Sequence, residues 1–160
     1  MTISVGQKLP EATFTIMTES GPAPITTQEL TAGKKVVLFA VPGAFTPTCS
    51  AKHLPGYVQE SDAFAAKDVD VIVCLSVNDV FVMDAWGKDQ NVGDEVLMLA
   101  DGNGDFAEAI GLTLDASGFG MGTRSQRYAM IIEDGLLTSL NVEEGGAFHV
   151  SSAEHMLTLV

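Results

Sequence analysis

The chain has 160 residues, 46% apolar and 18% charged, with a mean hydropathy of +0.25. At roughly 100–200 residues per domain this predicts a single domain over residues 1–160, and it excludes an intrinsically disordered chain, which needs low hydrophobicity as well as charge. Acidic residues outnumber basic ones 21 to 8, for a formal charge of −13, so phosphate backbones and anionic lipid are repelled and neither nucleic acid nor a membrane is an expected partner.

Met1 to Gln7 has neither the charged n-region nor the apolar h-region of a secretory signal. The longest apolar run, Val36 to Pro42, falls far short of the roughly 18 residues of a membrane span. The expected address is the cytoplasm. Two cysteines, Cys49 and Cys74, are too few for a disulfide framework and in a reducing compartment should rest as thiols.

In chain order, Ala12 to Thr18 predicts a first strand, followed by a turn at Gly21-Pro22-Ala23-Pro24. Thr26 and Glu29 have capping-box spacing and predict a short helix before Gly33. Lys35 to Val41 is an apolar, β-branched run of strand length, as expected when both faces are buried. Thr46 as N-cap and Pro47 in the first turn open a helix that carries Cys49 in that turn and runs to about Lys67, bent at Pro55-Gly56.

Val69 to Val77 predicts a second buried strand. Asn78 or Asp79 then caps a helix carrying Phe81, Val82, Ala85 and Trp86, and Glu95 to Ala100 predicts a third strand. A short helix follows at Phe106, Ala109 and Ile110, and Ser117 to Gly122 reads as a loop. Tyr128 to Ile132 and Leu136 to Val142 flank Asp134-Gly135 as a hairpin, and Ser151 with Glu154 repeats the capping-box spacing before a last helix. The alternation implies an α/β fold with a mixed sheet covered by helices on both faces.

Cys49 carries the clearest chemical signal. A thiol in the first turn of a helix lies beside unpaired N–H groups and the positive end of the macrodipole, which favour its thiolate. Its loop leaves the carboxyl end of a buried strand, where open α/β sheets place ligands. The alternative is a buried structural cysteine, the usual fate of a lone thiol. His53 lies four residues on and can share its helical face, so a Cys49/His53 thiol hydrolase is the rival chemistry, without an evident Asn or Asp partner; otherwise His53 is a polar wall residue near the pocket.

No metal site is expected. Cys49, His53, Cys74 and His149 lack zinc spacing, and Asp101-Gly102-Asn103-Gly104-Asp105 has Phe106 where an EF-hand loop needs glycine. Gly118-Phe119-Gly120-Met121-Gly122 does not join a strand to a helix, so it is no nucleotide signal; Phe119 and Met121 serve either a subunit contact or core packing.

Val41-Pro42-Gly43-Ala44-Phe45-Thr46-Pro47-Thr48-Cys49-Ser50, with Lys52-His53-Leu54-Pro55-Gly56 behind it, resembles the peroxidatic-cysteine segment of the peroxiredoxins, in their type II (atypical, fifth-class) branch. The likeness continues through Cys74 to Asp79, Trp86-Gly87, Arg127 to Met130, Glu133 to Gly135 and Leu140 to Val142, nearly the whole chain. It implies a thioredoxin-like fold and thiol-dependent reduction of hydrogen peroxide and alkyl hydroperoxides with no metal, haem or flavin.

The family's catalytic positions fall on Pro42, Thr46, Cys49 and Arg127. In that reading the Cys49 thiolate attacks the peroxide and becomes a sulfenic acid, Thr46 orients the peroxide, Pro42 shields the pocket, and Arg127 supplies permanent positive charge. Gly43, Phe45, His53 and Phe119 are the expected pocket residues. The resemblance further implies a homodimer joined beside the active site, with Phe45 and Phe119 in the contact. Cys74 is a possible resolving cysteine, but an external thiol, glutathione with glutaredoxin or thioredoxin, is the favoured reductant. A peroxide-sensing switch or chaperone using the same cysteine is the non-enzymatic alternative.

Overall fold

The computed structural model describes all residues, Met1–Val160. A seven-stranded sheet is built from β1 (Thr13–Thr18), β2 (Gly21–Thr26), β3 (Lys35–Val41), β4 (Val71–Ser76), β5 (Leu97–Ala100), β8 (Tyr128–Glu133) and β9 (Leu136–Val142), in the order β2-β1-β5-β4-β3-β8-β9. The central β3, β4 and β5 are parallel, and the flanking strands pair antiparallel. This is the mixed, helix-covered α/β architecture expected from the alternation of elements.

The middle strand has both faces buried, and its alternate residues divide the core. Val37, Phe39 and Val41 face one layer with α2 (Leu54–Gln59), α3 (Ser61–Ala65), α4 (Val80–Asp89) and α6 (Ala153–Leu157). Val36, Leu38 and Ala40 face the other, with α1 (Thr27–Thr31) and α5 (Asp105–Ile110). Both cysteines belong to the first layer.

Several local expectations hold in detail. Thr26 and Glu29 make both bonds of a capping box on α1, and Asp79 caps α4 through the Val82 amide at 2.9 Å. Asp134 and Gly135, at φ of 50° and 79°, make the left-handed turn between β8 and β9.

Others need correction. Gly21 to Pro24 is not a turn but part of β2, an edge strand on which Pro22 and Pro24 are exposed; only an edge tolerates missing ladder donors. The expected loop at Ser117 to Gly122 is a 3₁₀ turn, Ser117–Phe119, within a small hairpin of β6 (Thr113–Asp115) and β7 (Thr123–Ser125). α4 carries Phe81, Val82, Ala85 and Trp86 as expected, with Phe81 on its outer face at 64% exposed. The last helix is capped by Ser152, which accepts from the His155 amide, because the Ser151 hydroxyl is engaged elsewhere.

The helix behind Cys49 departs most from expectation. It opens at Pro47, but Cys49–His53 forms a π-turn in which the Leu54 amide bonds the Cys49 carbonyl, and α2 follows. Pro55 has no N–H and its ring crowds the preceding turn, so the backbone widens ahead of it instead of bending at it. The helix then breaks at Glu60 before α3.

Candidate active site

The loop after β3 is held from several sides. The Ala44 amide donates to Asn78 Oδ1 at 3.0 Å, and the Ser76 hydroxyl donates to the same oxygen, tying the loop to the end of β4. Phe45 takes a left-handed φ of 63°, a conformation that non-glycine residues adopt at a cost. Gly43 packs so closely that a side chain there would meet the Met121 methyl and the Thr46 methyl at 3.1 Å. Trp86 Nε1 donates to the Ser50 hydroxyl at 3.0 Å from beneath.

Cys49 is completely buried and lies in the first turn, as expected. Arg127 Nη2 donates to Cys49 Sγ at 3.0 Å. The pairing of β8 with β3 places it there: Tyr128 pairs with Ala40, so the residue before it lies at the carboxyl end of β3, on the Ala129 face that shares the cysteine's layer. A guanidinium thus lies against a buried sulfur, with little water between them to screen its charge.

Thr46, three residues before Cys49 in the same loop, caps no amide. Its hydroxyl donates to the Gly43 carbonyl at 2.7 Å, which leaves the oxygen's lone pairs facing away from that bond. Pro42 is half-buried at the mouth of the loop. Arg124 is structural: it donates to the carbonyls of Met121 and Val77 and fastens the β7 hairpin to the end of β4.

His53 is not a wall of the substrate pocket. It is fully buried behind Arg127, whose Nη1 bonds its Nδ1 at 2.7 Å, while its Nε2 lies 3.0 Å from the Ser151 carbonyl. Since arginine only donates and a carbonyl only accepts, Nδ1 is the bare nitrogen and Nε2 carries the proton. Burial, and then the Arg127 charge, push its pKa down to about 3. Both nitrogens are engaged away from sulfur and the ring is neutral, so the geometry does not provide the cysteine–histidine pair of a thiol hydrolase.

Three further residues complete the surroundings. Tyr57 stacks on Phe39 at 4.0 Å between centroids and donates its hydroxyl to the Ser151 carbonyl at 2.7 Å. Phe148 meets the His53 ring edge to face at 5.0 Å and lies 6.0 Å from the Arg127 guanidinium carbon. Glu143 Oε2 accepts from the His149 amide, the Ser151 amide and the Ser151 hydroxyl at 2.6, 2.9 and 2.6 Å. Burial works to raise the Glu143 pKa, but the Ser151 hydroxyl and the amides of His149, Ser151 and Val150 outweigh it and hold the carboxyl below its usual range. The capping-box spacing had pointed to Ser151, though for the wrong role.

Cys74 sits within β4, fully buried on the same layer as Cys49. Burial and then the neighbouring Cys49 charge push its thiol well above the ordinary range, against a smaller opposing effect of Arg127. Phe45 and Phe119 are 52% and 85% exposed. Phe45 lies near Trp86 at 6.4 Å between centroids. A groove of about 980 Å³ between α3 and α4 involves none of Cys49, Thr46 or Arg127. The candidate site lies instead where the buried Cys49 sulfur meets the Arg127 guanidinium.

The Redoxin family profile matches residues 4–157. Among curated proteins, peroxiredoxin-2E, a chloroplastic protein of Arabidopsis thaliana, is 54% identical over 97% of this chain and 68% of its own length. Peroxiredoxin-2B of the same plant is 46% identical over 97% of this chain and 96% of its own. Reduced Prx3 of Vibrio vulnificus, solved in complex with hydrogen peroxide, is 56% identical, covers 99% of both chains and superposes with a TM-score of 0.96.

Proposed function

This chain belongs to the peroxiredoxin family, thiol-dependent peroxidases of thioredoxin-like fold, and we propose that Cys49 is its peroxidatic nucleophile, with Thr46, Arg127 and Pro42 completing the catalytic set. The observation that carries this assignment is the 3.0 Å bond from Arg127 to the buried Cys49 sulfur. The relative from Vibrio vulnificus crystallised with hydrogen peroxide supports the same class of oxidant here.

In the first half-reaction Cys49 Sγ attacks one peroxide oxygen. The O–O bond breaks, the thiolate becomes a sulfenic acid, and the departing hydroxide or alkoxide takes a proton to leave as water or an alcohol. Arg127 faces both the sulfur and the negative charge that develops on the leaving oxygen. Thr46 bonds the peroxide through the lone pairs its bond to the Gly43 carbonyl leaves free. Pro42 keeps water from the mouth of the loop, and Gly43 allows the loop to pass close to Thr46.

The second half-reaction needs a thiol, and we assign it to an external one, glutathione with glutaredoxin or thioredoxin. Its sulfur attacks the sulfenic acid and releases water, and a second thiol reduces the resulting mixed disulfide. Cys74 is a poor internal substitute because burial keeps it protonated. Two free thiols suit a reducing compartment such as the cytoplasm. Turnover of hydrogen peroxide by the purified protein, supplied in turn with each electron source, is the test. Sustained turnover that is unchanged in Cys74→Ser is expected. A single oxidation without regeneration would leave a peroxide switch instead, and a quantitative Cys49–Cys74 crosslink with loss of turnover in the serine variant would overturn the external route.

We further propose a homodimer whose contact includes Phe45 and Phe119, apolar rings left exposed beside the active-site loop and on the β6–β7 hairpin. A dimer mass is expected in sedimentation or light scattering at micromolar concentration. A monomer mass there would remove this proposal.

A further inference from the structure

Arg127 does not hold its position alone, and the bonds behind it form one continuous path. The guanidinium that touches Cys49 Sγ bonds His53 Nδ1; His53 Nε2–H donates to the Ser151 carbonyl; the Ser151 amide and hydroxyl both donate to Glu143 Oε2. The path also closes along the backbone, because the Glu143 amide donates to the Arg127 carbonyl at 2.9 Å. Glu143 therefore grips the arginine strand with its backbone and the Ser151 segment with its side chain.

We propose that Glu143 is a positioning residue for peroxide reduction, its carboxylate fixing the Ser151 carbonyl that sets the His53 tautomer and so aims Arg127 at Cys49. This rests on the assignment of Cys49 and Arg127 given above. Ser151 is the branch point. Its carbonyl receives both the His53 ring and the Tyr57 hydroxyl, while its amide and hydroxyl are spent on the carboxylate. The segment it belongs to runs from Glu143 to Ser152 without a helix or strand of its own. Three bonds to one carboxylate oxygen, with the Asn141 side-chain Nδ2 on the Val150 carbonyl, replace the ladder it lacks. Bonds to an ionised acceptor are about twice as strong as neutral ones, which suits one oxygen to this task.

A loosened clamp frees the Ser151 carbonyl to drift and the ring with it, and Arg127 loses the partner that holds Nη1. Hydrogen-bond partners that fix the ligands of a metal are commonly worth about 10–100-fold in activity, and the same scale is expected for one that fixes a catalytic arginine. The second-order rate constant for oxidation of Cys49 by hydrogen peroxide is accordingly expected to fall at least about 10-fold in Glu143→Ala. Glu143→Gln, which keeps an acceptor oxygen without the charge, is expected to lose less.

A double-mutant cycle with Arg127→Ala separates positioning from general loss of structure. If Glu143 acts through Arg127, its substitution has little further effect once Arg127 is gone. The exchange-protected Nε2 proton of His53, read by nitrogen–proton NMR, is expected to be lost in Glu143→Ala. An undiminished loss in the Arg127→Ala background, or a wild-type rate in Glu143→Ala, would overturn the proposal. Should the alanine variant fail to fold, the glutamine variant carries the same cycle: a loss that disappears with Arg127→Ala supports the path, and a wild-type rate or a persisting loss overturns it. Wild-type rates in Arg127→Ala itself would instead strike at the assignment of the site, so the two failures are distinguishable.

Discussion

Cys49→Ser is expected to abolish peroxide reduction, leaving only the rate at which the thiol reductant reacts with peroxide in protein-free solution. A serine hydroxyl is not ionised near neutral pH and has no low-lying route to a stable oxidised form, so the path to the sulfenic acid is closed rather than slowed. The fold should survive, because the substitution is nearly isosteric and Arg127 Nη2, 3.0 Å from the sulfur in the parent protein, can donate to a hydroxyl in its place. The expected cost is about 1 kcal/mol for exchanging one hydrogen-bonded buried group for another, a lowering of the melting temperature by roughly 2–4 °C at this chain length. Peroxidase activity retained in a folded serine variant would remove Cys49 from the reaction. Loss of activity together with loss of the cooperative thermal transition would show only that the site had collapsed, so both measurements belong together.

Much of this site was legible because it is coded locally. The run Lys35 to Val41 announces a strand buried on both faces, and proline and threonine after it announce a helix start, so the place of Cys49 follows from the fifteen consecutive residues Lys35 to Cys49. The turn at Asp134-Gly135 fixes the hairpin in the same way. By contrast, Thr46 looked like an N-cap because its type and position fit, yet its hydroxyl found the Gly43 carbonyl of a tight loop nearer than an amide of the first turn. His53 looked like a pocket wall because helical spacing gives a direction but not a depth.

The residues behind Arg127 were hidden for a sharper reason. Counting outward from the hairpin turn pairs Glu133 with Leu136 and Ile132 with Leu137, and an uninterrupted ladder would bring Val142 opposite Arg127. The register instead slips by one residue between Ile131 and Ile132, so Ile131 meets Ser139 and Ala129 meets Asn141. A one-residue slip exchanges the faces of a strand. It sets Asn141 on the cysteine's side of the sheet and brings Glu143 to Arg127, whose carbonyl its amide bonds at 2.9 Å. Nothing in the residues Leu136 to Val142 marks that bulge. The edge prolines of β2 were hidden in a similar way, since edge placement is a property of the whole sheet order.

Arg127→Ala is expected to lower the second-order rate constant with hydrogen peroxide by roughly 100- to 1000-fold, the usual effect of losing one preorganised donor to charge that develops in the transition state, about 3 kcal/mol. Two losses combine: the sulfur gives up its cation, and the leaving oxygen gives up the donor that would meet it. The loss falls on the chemistry more heavily than on the fold, whose main penalty is His53 Nδ1 left without its 2.7 Å partner in a dry site, roughly 1–3 kcal/mol. Arg127→Lys should recover only part of the rate, because one ammonium has no rigid fork with which to hold the His53 ring and Cys49 Sγ together. Thr46→Val keeps the shape of the loop and removes only the hydroxyl, so it should slow the same step while leaving the arginine geometry intact. Rapid-mixing measurements of Cys49 oxidation at several peroxide concentrations provide the rate constants for all three variants. Oxidation at the parent rate in Arg127→Ala would show that the guanidinium against the sulfur is a structural bond, and that the reactivity of Cys49 must come from the helix start and the loop alone.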